Sequence, residues 1–165
     1  VDCAILVVHG DYRSLLKPRD QMNVAALTCF QDIFIAGNDF AALKDRAVTP
    51  EELTAFPFIA MEPGTLTRQY MDDFFLRFHL SVVPDIELST TDLIVPVTEH
   101  NLGIGFVPEP FAAGALCAGS VFSIRLTEAV PPRQICLVYR TDLPLSIAAQ
   151  AFLELLTDDP PAVLE

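Results

Sequence analysis

Two short segments of this chain carry the residue types that could hold a small polar molecule. They are Pro63-Gly64-Thr65-Leu66-Thr67 and Ser89-Thr90-Thr91-Asp92. Each follows a short apolar run and precedes a helical pattern. At such a junction the first turn of the helix leaves backbone N–H groups unpaired, and its positive dipole end attracts an anion. Threonine and serine hydroxyls add donors without adding charge. In an open α/β sheet, ligands sit beyond the carboxyl ends of the strands, where these corners lie. Two corners facing one crevice would make a neutral cradle for a carboxylate or another small polar group. Plain helix capping uses the same residues, so the residue types leave both readings open.

The other reactive side chains lack the company that catalysis or metal binding needs. His9 ends an apolar run, and His79 and His100 fall near expected helix ends. None lies beside a Gly-x-Ser-x-Gly elbow or a papain-like cysteine. Asp72 and Asp73 are adjacent, so on a helix they point about 100° apart and do not converge on an ion. Glu99-His100 is a single pair without partners. Gly103-x-Gly105 lacks the third glycine of a dinucleotide turn and reads as close packing of strand on helix. Cys3, Cys29, Cys117 and Cys136 form no C-x-x-C pair and sit among apolar neighbours. They read as buried free thiols of a reducing cytoplasm. No catalytic residue, metal or cofactor is expected.

Composition narrows the field further. Of 165 residues, 52% are hydrophobic and 19% charged, which excludes a disordered tail. Ten Lys and Arg face 22 Asp and Glu, a formal net charge of −12. A nucleic-acid surface needs clustered basic residues to displace counterions, and this chain has none. The longest apolar stretch, Leu102 to Ala118, is broken by Pro108, Glu109 and Pro110, so no membrane span is expected. The chain starts at Val1 without a positive leader segment, and a piece of a longer protein is expected.

The elements that must position the two corners follow from periodicity. Cys3 to Val8 reads as a buried strand, residues 9 to 23 as a polar connection, and Asn23 to Thr28 and Asp32 to Ala36 as strands. Thr49-Pro50-Glu51-Glu52 has the cap, the first-turn proline and the capping-box glutamate of a helix start. Phe58 to Met61 is a strand. From Leu66 the apolar residues fall at 66, 70, 71, 74, 75 and 78, one face of a helix. Pro84 to Leu88 is a strand, followed by a helix from Asp92 to Asn101. Pro96 falls inside that helix, where it costs about 3 kcal/mol unless a kink is wanted. Gly103 to Pro108 is a strand, and 110 to 119 a loop or short helix. Val121 to Leu126 and Gln134 to Arg140 are strands, and Ser146 caps a last helix. The tail after Asp158 is expected to fray. Strands alternating with helices over short connections predict α/β with mostly parallel pairing.

Several segments resemble the LysR-type transcriptional regulators. Val-Asp-Cys-Ala-Ile (1 to 5), Thr-Pro-Glu-Glu-Leu-Thr-Ala-Phe-Pro-Phe-Ile (49 to 59) and Leu-Gly-Ile-Gly-Phe-Val-Pro (102 to 108) are similar to that family's strands and helix start. Cys-Leu-Val-Tyr-Arg (136 to 140) and Leu-Ser-Ile-Ala-Ala-Gln-Ala-Phe-Leu-Glu-Leu-Leu (145 to 156) are similar to its ending. The matches run in family order over most of the chain.

The resemblance implies an effector-binding domain of the α/β type II periplasmic-binding-protein-like fold. Such a domain has a mixed, mostly parallel sheet with helices on both faces. Two lobes are joined by crossing strands, and an effector sits in the cleft. It further implies a truncated first lobe. Residues 1–21 would be its remnant and the hinge crossing, 22–130 a complete second lobe, and 131–165 the return hinge and C-terminal helix. Carried over by motif, the ligand-binding residues are Gly64, Thr65, Ser89, Thr90 and Thr91, with Gly37-Asn38 a weaker candidate. Pro96 departs from the family pattern.

As partners the resemblance implies a small-molecule effector, a carboxylate being the first candidate. The scarcity of Arg near the corners speaks against a phosphate. It also implies a homodimer or tetramer of the full protein, built on the helix 66–79 and strand 84–88. DNA would be bound only through a winged helix-turn-helix domain absent from this chain. The setting would be the bacterial cytoplasm, with no membrane contact. The alternatives are an enzyme or a solute-binding protein on the same kind of scaffold. The first needs an acid and a base in the cleft, the second a signal peptide upstream.

Overall fold

The computed structural model describes residues 2–9, 21–142 and 144–156. The expected polar connection of residues 9 to 23 lies largely outside them, as does the tail after Asp158. The strands are β1 (Cys3–His9), β2 (Met22–Phe30), β3 (Asp32–Gly37), β4 (Ala47–Val48), β5 (Phe58–Met61), β6 (Ile86–Leu88), β7 (Ile104–Pro108), β8 (Val121–Ser123), β9 (Arg125–Leu126) and β10 (Arg133–Arg140). The α-helices are α1 (Pro50–Leu53), α2 (Leu66–Leu76), α3 (Ile94–Glu99), α4 (Glu109–Ala118) and α5 (Ile147–Leu156), with 3-10 turns at Asn38–Leu43 and Thr91–Leu93. They group into two compact units. One contains β1, β2, β10 and α5; the other is Gln31–Pro131.

In the first unit β10 lies between β1 and β2, antiparallel to both, with Val138 opposite Ala4 and Val24. The expected division at residue 22 differs from this one by a strand, because β2 pairs with β10 and the second unit begins after it. Periodicity cannot separate two consecutive apolar strands divided only by Gln31. β1 is an edge strand, and Ile5, Leu6 and Val7 are exposed rather than buried. Ser146 caps α5 by accepting from the Ala149 N–H at 3.3 Å, and the helix buries Ala149 and Leu153.

The second unit is built on a mixed five-stranded sheet in the order β6-β5-β7-β3-β8. β6, β5 and β7 are parallel, because α2 and α3 carry the chain back between them. β3 arrives from the first unit and runs antiparallel to β7 and β8. Successive residues of three neighbouring strands point to opposite faces. Phe34, Phe58 and Phe106 join an aromatic core under α2, completed by Tyr70, Met71, Phe74 and Phe75. Ile35, Ile59 and Val107 join an aliphatic core under α3 and α4, with Ile94, Val95 and Ala112. Helices therefore cover both faces.

Local details refine the expectations. The capping box of α1 is present: Thr49 Oγ1 accepts from the Glu52 N–H at 3.1 Å, and Glu52 Oε2 from the Thr49 N–H at 2.9 Å. The expected helix 92–101 is split into a 3-10 turn and α3. Pro96 is therefore in the first turn of α3, where a missing N–H breaks no helical ladder. Residues 109–118 are a full helix closed by Gly119 at φ 72°. The single strand expected over 121–126 is β8 and β9, parted at Ile124, whose N–H is bonded to Phe34 O. Gly105 packs where a Cβ would lie 2.5 Å from Thr98 Oγ1, so the Gly-x-Gly is a packing feature. The cysteines depart from expectation: Cys29 and Cys117 are exposed, Cys3 is half-buried, and Cys136 alone is buried. Burial pushes the Cys136 thiol pKa up.

Candidate functional site

The two corners meet because their strands are neighbours. β5 and β6 are parallel and in register, Met61 opposite Leu88, and the Glu62 N–H bonds Leu88 O at 2.9 Å. Gly64-Thr65 and Ser89-Thr90-Thr91 therefore emerge side by side from the carboxyl edge of the sheet. β7 ends at the same edge, so the Pro108-Glu109 corner at the start of α4 is a third member. Sequence reading missed it. The signal was present in the strand-ending proline followed by Glu109-Pro110, which opens a helix. Glu109 supplies the acid in that first turn. The chain also enters the unit here, since Asp32 pairs with Pro108 and Gln31 O accepts from the Glu109 N–H at 2.8 Å.

The corners use their hydroxyls differently. Gly64 has φ 90°, and a Cβ there would meet nothing. The glycine serves the turn, not a close contact. Thr65 is the N-cap of α2. Its hydroxyl accepts from the Arg68 N–H at 3.3 Å and donates to Glu62 O at 3.1 Å, so its one proton is already committed. Thr91 Oγ1 donates to Met61 Sδ at 3.6 Å, bracing the second corner on the first. Ser89 and Thr90 are exposed, and Thr90 precedes the 3-10 turn without a side-chain cap. Among the described residues the Ser89 and Thr90 hydroxyls make no hydrogen bond. Capping explains Thr65 and leaves Ser89 and Thr90 unexplained. The second corner opens only a 3-10 turn and the six-residue α3, so it offers hydroxyls rather than a strong dipole.

Gly37-Asn38, the weaker candidate, lies elsewhere. β3 runs antiparallel to β7, which puts Gly37 at the opposite edge of the sheet. There Asn38 Nδ2 donates to Gly119 O at 3.1 Å, and the Asp39 N–H bonds Asn101 Oδ1 at 3.0 Å. His79, just past α2, and His100, at the end of α3, are at that far edge too.

One cation stands behind the corners. Arg68 lies in the first turn of α2, its side chain only 12% exposed. Its Nε is 3.0 Å from Asp72 Oδ1, and its Nη1 is 2.8 Å from Glu87 Oε1 on β6 and 3.2 Å from Met61 O at the end of β5. Burial works to lower its pKa, but the bonds from Glu87 and Asp72 outweigh it and hold it above the ordinary arginine value. Among the described residues no group of His, Cys, Asp and Glu could hold a metal ion.

The chain is similar to known proteins. A family model described as the LysR substrate binding domain matches residues 1–160. The chain is 25% identical over 151 residues to a RuBisCO operon transcriptional regulator of Acidithiobacillus ferrooxidans, covering 90% of this chain and 48% of that protein. It is 25% identical over 125 residues to the HTH-type transcriptional activator CmpR of Synechocystis, covering 75% of this chain and 41% of that protein. It thus spans about half the length of these curated relatives. Among solved structures, the regulatory domain of Synechocystis CcmR in complex with 2-PG superposes with a TM-score of 0.75 at 19% identity, over 94% of this chain and 71% of that one. The effector-binding domain of QuiR in complex with shikimate gives 0.72 at 15%, over 94% and 69%.

Proposed function

This chain belongs to the LysR substrate-binding domain family, and from that premise we propose that the carboxyl edge of its five-stranded sheet holds a small polar effector. The contacts on this unit are the backbone of Gly64 and Thr65 at the start of α2 and the hydroxyls of Ser89 and Thr90, with Thr91 holding its corner in place through Met61 Sδ. The observation that carries the reading is the pair of exposed, uncommitted hydroxyls on Ser89 and Thr90, set beside the N-terminus of the eleven-residue α2. A carboxylate suits this edge: it accepts from hydroxyls and backbone N–H groups and needs no free cation. A phosphate suits it poorly, since Arg68 is already engaged by Asp72 and Glu87.

The role is sensing rather than turnover. His79 and His100 lie at the far edge of the sheet, which leaves these corners without a histidine from this unit to move a proton. Binding at the corners shifts the conformation of a longer cytoplasmic regulator. That regulator is a dimer or tetramer which reads DNA through a winged helix-turn-helix domain. A thermal-shift and calorimetric screen of small carboxylates tests this. A binder is expected whose affinity falls at least about tenfold in S89A and T90V. Unchanged affinity in both variants, or chemical conversion of the bound compound, would overturn the reading.

A further inference from the structure

Arg68 lies in the first turn of α2, at the proposed effector edge, and charge alone would cast it as an anion receptor. Its geometry gives it different work. The guanidinium bridges three elements: Asp72 on α2 at 3.0 Å, Glu87 on β6 at 2.8 Å and the Met61 carbonyl at the end of β5 at 3.2 Å. Its own N–H is bonded to the hydroxyl of Thr65, the cap of the first corner. Glu87 lies directly before Leu88, where the second corner begins. An arginine in the first turn of a helix opposes the helix dipole, and α2 has no acid in that turn to offset it. Asp72 compensates from within α2; Glu87 and the Met61 carbonyl do so only while α2, β5 and β6 keep their present arrangement.

We propose that Arg68 is a positioning residue which couples the two corners, fixing Gly64-Thr65 against Ser89-Thr90-Thr91, and that it is not itself an anion receptor. A planar guanidinium suits this task because its donors point in fixed directions toward a carboxylate on each of two sides and a carbonyl, whereas the three donors of an ammonium sit on one freely rotating point charge. The backbone bond from Glu62 to Leu88 and the Thr91 hydroxyl on Met61 Sδ also link the corners. The proposal rests on reading this edge as the effector site. The coupling itself is measurable without any effector.

The experiment is amide hydrogen exchange on the unliganded chain. In R68Q, exchange at both 62–67 and 89–93 is expected to accelerate about tenfold, while β3 and β7 amides keep their rates. E87Q, at a more exposed position, should reproduce the change at both corners and serves if R68Q does not fold. D72N should disturb α2 alone, because Asp72 reaches no strand. R68K should restore only part of the protection. Acceleration confined to α2, acceleration spread evenly through the sheet, or no change at 89–93 in both R68Q and E87Q would overturn the coupling. The carboxylate screen fails or succeeds independently of these rates, so the two readings can be lost separately.

Discussion

Thr65 and Thr90 look alike in the sequence, yet their hydroxyls do different things. Thr65 satisfies the first turn of α2 and is bonded on both sides. T65A is therefore expected to lose about 1 kcal/mol of stability, read by urea unfolding, whatever it does to binding. S89A and T90V remove hydroxyls without a partner among the described residues. They should unfold within about 0.5 kcal/mol of the parent, so a loss of effector affinity in them reports contact rather than collapse. His79 is the opposite case, a residue where the backbone matters more than the side chain. It sits at φ 59° just past α2, with the Leu80 N–H bonded back to Phe75 O and its own N–H to Leu76 O. Glycine holds that left-handed position without the Cβ clash, so H79G is expected to raise stability by about 1 kcal/mol. A thermal melt that falls instead would show the imidazole making a compensating contact.

At the scale of elements, α1 shows how much a single turn depends on its ends. Glu52 bonds the Thr49 N–H and pairs with Arg46, and both lower its pKa below the ordinary value of 4.5. A carboxyl depressed in the folded state stabilises above its unfolded pKa, and that contribution is lost as pH falls through the folded value. The stability gap between the parent and E52A should therefore be open at neutral pH and close as the pH drops below 4.5. A gap that stayed constant would mean the carboxylate charge contributes nothing. The aromatic core under α2 depends on Phe34. Its ring lies 4.7 Å from Phe106, 5.7 Å from Phe74 and Phe75, and 6.2 Å from Phe58. It is 1% exposed on the central part of the sheet, so F34A leaves a cavity the neighbours cannot fill and should cost about 3–5 kcal/mol.

On the scale of the molecule, both hydrophobic clusters lie wholly within Gln31–Pro131. That unit has a covered sheet and its own core, and the chain enters and leaves it once each. A fragment spanning Gln31–Pro131 is expected to unfold in one cooperative transition, with exchange protection in β3, β5 and β7 like that of the longer chain. A fragment with native-like circular dichroism but no cooperative melt would show that its core needs the first unit. Among the described residues of the first unit, β1 is an edge strand with Ile5, Leu6 and Val7 exposed, β10 buries Cys136, Leu137 and Val138, and α5 buries Ala149 and Leu153.

Local chemistry makes most elements legible in the sequence alone. The Thr49 capping box, the 66–78 apolar stripe, the Ser146 cap and the α/β alternation are all set by contacts within a few residues. The ordered motifs carried the family. What sequence could not supply was adjacency. Whether Gly64-Thr65 faces Ser89-Thr90-Thr91 depends on β5 and β6 pairing parallel and in register, and a segment's own pattern does not encode its neighbour. The same limit put Gly37-Asn38 among the candidates, since nothing local says that β3 runs backwards. It hid the Pro108-Glu109 corner, the bridging work of Arg68 and the exposure of Cys29 and Cys117. Short-range hydrogen bonds and side-chain periodicity are written along the chain; strand order and direction arise only when distant segments compete for one another's edges.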